Sequence, residues 1–142
     1  GRLLLSNGSN AGFASPGIHI YSNTSTYSGR VSVFTVGNGA TDFDTGVSLA
    51  VDGWSHFVTT GRCNNAAVCA AYLNGVAGST DVLPPSQSTG SDSHEALRLG
   101  AAAYGSNLPN GSRIAGFRAY DRILAPAEVA QNFNVERARF GL

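Results

Sequence analysis

The chain has 142 residues, nine basic and nine acidic, for a formal net charge of zero, and only 13% of its residues are charged. That balance argues against electrostatic capture of nucleic acid or of an anionic membrane surface. The length suits one compact domain over residues 1–142 with its own core, and no apolar run approaches the roughly twenty residues of a spanning helix. The first residue is Gly rather than Met, so we expect a piece processed or excised from a longer chain.

Eighteen glycines among many Ser, Thr and Asn residues point to an all-β domain rich in turns. In chain order, residues 3–5 form a short apolar run, and residues 17–21 read as a strand. Period-two alternation marks 30–36, whereas GNGATDFDTG reads as a turn. Residues 47–51 alternate cleanly, with Val47, Leu49 and Val51 on one face, and Asp52-Gly53 turns the chain into a strand over 54–60. A polar interruption precedes the run 68–73. Asn74-Gly75 is then the strongest two-residue hairpin signal, because both residues tolerate the positive φ of a type I′ turn.

Residues 77–96, with Pro84-Pro85 and SQSTGSDSHE, read mostly as loop. A strand returns at 97–100, residues 101–112 form a loop over the rim, and 113–120 form a late strand in which Gly116 suggests a bulge or close approach. Pro126 suits a first helical turn, and 127–133 continue a short helix that packs Val129 and Phe133 on the body. The tail, 134–142, is expected as an edge strand or a lead into another domain.

Cys63 and Cys69 flank five residues. Facing each other across the hairpin they would close a small loop, a structural disulfide of about 2 kcal/mol that implies an oxidising compartment; reduced buried thiols are the alternative. A C-x5-C pair without nearby His is poor metal spacing, and no C-x-x-C is present. Sequons at Asn7, Asn23 and Asn110 make these candidates for N-glycosylation and agree with extracellular exposure.

The order Trp54-x-His56-Phe57, then Tyr72-Leu73-Asn74-Gly75, then Leu97-Arg98-Leu99-Gly100 and IAGFRAYDRILAPAEVAQNF resembles laminin G-like domains over about residues 54–134. The resemblance implies a concanavalin A-like jelly-roll sandwich of two antiparallel sheets with one short C-terminal helix. The family's opening strands have no counterpart here, so the expectation is either that the true start is missing or that a neighbouring domain or chain supplies them. His56 matches a position that is structural in the family.

The resemblance also places a ligand or metal rim on the loops at 62–68 and 104–112. There Asn64, Asn65, Asn107 and Asn110 stand without a carboxylate, a poor set for the Ca²⁺ that some relatives bind; Asp42, Asp44 or Asp52 would compensate only from the same rim. For a sugar site, Tyr104 beside Asn107 and Asn110 is the best-placed aromatic, while Tyr21, Tyr27 and Tyr72 suit packing. The paired-carboxylate strand motif of related glycosidases is absent, Asp42 and Asp44 read as loop carboxylates, and His19, His56 and His94 lie in no catalytic motif, so no enzyme is expected. Arg118, Arg122, Arg137 and Arg139 alternate with Asp121, Glu128 and Glu136 as ordinary surface pairs.

Two functions follow. One is a non-catalytic extracellular recognition or adhesion module, for which a glycan or protein is the partner. The other is a structural building block of a surface assembly such as a fibre, filament or virion exterior, where neighbouring copies bury its edges.

Overall fold

The computed structural model describes residues 2–6, 17–22, 31–36, 41–50, 52–61, 68–82, 97–100 and 107–142. They form eight strands and one helix: β1 (Arg2–Ser6), β2 (Gly17–Ser22), β3 (Val31–Val36), β4 (Thr41–Asp44), β5 (Phe57–Thr60), β6 (Val68–Leu73), β7 (Val76–Val82), β8 (Arg98–Leu99) and α1 (Pro126–Phe140). Five strands pair in the order β4-β3-β2-β1-β8 and three in the order β5-β6-β7, all antiparallel. Such ladders suit short strands joined by tight connections.

The hairpin expectation at Asn74-Gly75 holds. Both residues have positive φ, 51° and 78°, and Leu73 pairs with Val76 across the two-residue turn. The turn also reaches sideways. Asn74 N–H donates to the His56 carbonyl at 2.8 Å, and the His56 N–H donates to Asn74 Oδ1 at 2.9 Å. This side chain replaces a ladder partner, which is why the strand expected over 54–60 is regular only from Phe57.

Other boundaries differ from expectation. Residues 77–82, expected as loop, belong to β7, because a strand of Gly, Ser and Thr can form where β6 offers a ladder. Residues 41–44, expected as turn, form β4, whose Phe43 stands opposite Val33. Conversely, residues 47–50 form no strand despite their alternation; Val47 is buried, but the segment crosses to the other sheet instead of joining a ladder.

Gly78 is where that crossing is felt. Between the pairs Ala70↔Thr80 and Tyr72↔Ala77, β7 carries two residues against Ala71, a β-bulge at Gly78 and Ser79. A Cβ on Gly78 would collide with the Thr45 carbonyl and with Val47 Cγ1. The bulge and close approach expected at Gly116 therefore occur at Gly78; a Cβ on Gly116 would meet nothing within 4 Å.

The helix is longer than expected and takes in the tail as far as Phe140, so these residues form no edge strand. Pro126 occupies its first turn, and Glu128 Oε2 accepts from the Ala125 N–H at 2.7 Å, one half of a capping box. At the other end Gly141 adopts φ 69°, and the Leu142 N–H donates to the Arg137 carbonyl at 3.0 Å, closing a Schellman motif. Tyr72, Leu124 and Val129 form a buried cluster with Val58 and Ala70 against it.

Candidate functional site: an open segment beside the helix

Two stripes of α1 do different things. Val129 is fully buried against the β5–β6 hairpin, Phe133 lies over Gly75 and stacks on His56 with ring centroids 5.9 Å apart, and Phe140 meets Trp54 at 5.1 Å. The adjoining stripe, Glu128, Asn132 and Glu136, is polar and faces the chain that precedes the helix. Arg122 donates to both Glu128 oxygens at 2.8 and 2.6 Å, Asn132 Nδ2 donates to Tyr120 Oη at 3.1 Å, and Arg118 donates to Glu136 Oε1.

The spacing of these three bonds fixes the local backbone. Four helical residues rise about 6 Å, and two residues of extended chain cover about 6.6 Å. Partners at 132 and 136 therefore meet 120 and 118 in step where that segment runs extended and antiparallel to α1, and a bend at 121–122 brings Arg122 to Glu128. Residues 112–120 indeed contain no helix, turn or bend.

The late strand expected over 113–120 does not form: the segment pairs with no strand among the described residues. Every residue from 109 to 123 is exposed, and Ile114, Phe117, Tyr120 and Ile123 are each 44–46% accessible. These three bonds hold the segment beside α1 without any ladder to a strand among the described residues. At its start, Ile114 lies over Gly100 at the end of β8, whose Leu97 and Leu99 neighbours are also exposed. The segment thus runs from the edge of the five-stranded sheet to the helix seated on the other. Open apolar strand edges are where other chains add.

The electrostatics follow from the same contacts. The bidentate bond from Arg122, helped by the Ala125 N–H, holds the Glu128 carboxyl down to about 2, and the same bond raises Arg122. Burial lowers His56, an effect partly offset by Glu136 and reinforced by Arg118. Its Nδ1 is buried without a hydrogen-bond partner among the described residues, in keeping with a structural role.

Of the residues singled out in the sequence, Cys69 lies on β6 opposite Asp81, and Asn107 and Asn110 are exposed around the Pro109–Ser112 turn. Cys63, Asn64, Asn65, Tyr104, Asn7 and Asn23 lie outside the described residues. Asp42 and Asp44 occupy alternate positions of the edge strand β4, opposite Phe34 and Ser32, and so are strand residues rather than loop carboxylates. Tyr72 is core, as its type suggested. No group of three His, Cys, Asp or Glu able to hold a metal occurs among the described residues, and the rim's described members, Asn107 and Asn110, are neutral. Among the described residues no helix is long and apolar enough to cross a membrane.

Antiparallel sheets closed by a C-terminal helix define a class, and the sequence places the chain within it. The family model described as the concanavalin A-like lectin/glucanases superfamily, of laminin G type, matches residues 1–130. The chain belongs to this laminin G-like family. Among curated proteins no sequence matches it. One solved structure similar to it is an S-layer domain-containing protein from Clostridium thermocellum ATCC 27405, at 18% identity and a TM-score of 0.46. The match covers 87% of this chain and 59% of that one, a likeness from which nothing about function follows.

Proposed function

We propose that this domain is a non-catalytic recognition and adhesion module, working outside the cell or on its surface, which engages a protein partner through the open segment 112–123. The observation that carries the reading is a backbone over 112–120 that pairs with no strand among the described residues, with Ile114, Phe117, Tyr120 and Ile123 exposed along and just after it. Main-chain bonding gives such an edge affinity, and the alternating side chains give it selectivity. A bare apolar edge suits a polypeptide better than a sugar, which needs polar groups fixing its hydroxyls. Family membership supports a lectin-like or adhesive role, and the reading includes no cofactor.

In this account the two sheets close face to face as a jelly-roll sandwich. The crossing of Thr45 and Val47 against Gly78 supports that closure, because it ties the end of β4 to β7. The building-block function is favoured by the same edge, since a domain that polymerises needs a surface of this kind.

Binding to immobilised extracellular proteins and to a glycan array, for the wild type and Phe117→Arg, tests the proposal. A protein-binding signal that falls at least tenfold in the variant supports it. Glycan binding unaffected by the substitution, or hydrolysis of a β-glucan, contradicts it.

A further inference from the structure

We infer that the partner of the open segment is the same segment of a second copy, paired antiparallel about a two-fold axis at Phe117. This deepens the proposed function and rests on its reading of the edge. Pairing with the helix leaves two charges of the segment over. Arg118 and Arg122 are satisfied by Glu136 and Glu128, whereas Arg113 and Asp121 take part in no ion pair among the described residues. Both are exposed, one near each end of the segment.

Antiparallel self-pairing centred on Phe117 sets Arg113 of each copy opposite Asp121 of the other, giving two cross-strand ion pairs by symmetry. It also sets Phe117 on Phe117, Ala115 on Ala119 and Ile114 on Tyr120. Directly opposed side chains have Cβ atoms about 5 Å apart, within reach of these contacts. Neighbouring registers are worse. Centring on Arg118 opposes two like charges, and centring on Gly116 leaves Arg113 facing Ala119 and Asp121 facing Gly111. Residues 118, 120 and 122 point to the helix, so α1 lies on a face of the ribbon and does not block the pairing edge. The surface is self-complementary, as an isologous dimer requires.

Sedimentation velocity over a concentration series, on the full chain, reads the inference directly. Wild type is expected to show a concentration-dependent dimer. Arg113→Asp and Asp121→Arg, each of which places like charges opposite one another twice, are expected to weaken it at least tenfold without changing the melting temperature. The double variant Arg113→Asp/Asp121→Arg restores the pairs and is expected to recover wild-type association. A monomer at every concentration, single variants that dimerise normally, or a double variant no better than the singles each overturns the inference. If the chain is monomeric but still loses protein binding on Phe117→Arg, self-pairing falls and the reading of the edge stands. If Phe117→Arg leaves both association and protein binding unchanged, both fall.

Discussion

The two stripes of α1 hold neighbouring parts of the molecule by different physics. On one side Val129, Phe133 and Phe140 pack against the β5–β6 hairpin, its turn and Trp54, removing apolar surface from water. On the other, Glu128, Asn132 and Glu136 grip the preceding segment through polar bonds and leave its residues exposed. Apolar burial supplies most of a helix's stability, while exposed ion pairs supply little and mainly fix geometry. The first stripe therefore anchors the helix. The second holds in place a segment that pairs with no strand among the described residues.

Substitutions on the two stripes should separate in magnitude. Val129→Asp puts an unpaired charge at a fully buried position and is expected to cost roughly 4 kcal/mol or more, reading as a lost or strongly lowered urea midpoint. Phe133→Ala removes a half-buried ring from Gly75 and His56 and is expected to cost roughly 2 kcal/mol, below the range for a fully buried aromatic. A destabilisation of Phe133→Ala equal to that of Val129→Asp would erase the distinction between anchor and periphery.

Acid should act on both stripes in separate windows. His56 has its folded pKa lowered below 6.5, so the unfolded chain binds the proton more readily. Stability is then complete above about pH 6.5 and declines as pH falls below it. His56→Gln is expected to flatten that slope in denaturation curves taken between pH 7.5 and 5.5. Glu128 has the opposite origin but the same direction. Its carboxyl is lowered from 4.5 to about 2, so its contribution is present above about pH 4.5 and is lost as pH falls through 2. Both partners are exposed, so Glu128→Gln is expected to be the smallest effect of the four, seen as fraying at the helix N-terminus by circular dichroism with the sheets unaffected.

The sequence made local features legible and non-local ones obscure. Asn74-Gly75 and Pro126 were readable because each acts through its own backbone angles. The alternation over 47–51 was misleading, and the Gly-Ser-Thr run of β7 was read as loop, because a strand exists only where a partner is aligned with it. The helix ran on to Phe140 because its last aromatic residue packs on Trp54, a contact distant in sequence. For the site, the rim asparagines and Tyr104 drew attention by residue type. The strand expected over 113–120 is not formed, and nothing in IAGFRAYDRIL says whether a neighbour lies alongside. That property belongs to the assembled structure.

Amide hydrogen exchange at residues 113–121 tests the central claim most directly. At a dilution where the chain sediments as a monomer, the account predicts fast exchange along this segment while amides of β6, β7 and α1 are protected by orders of magnitude. On concentration, protection should rise at alternate amides of the segment, the signature of one newly paired edge. Protection in the dilute monomer equal to that of β6 would mean that the edge is already closed within one chain, and would contradict the account.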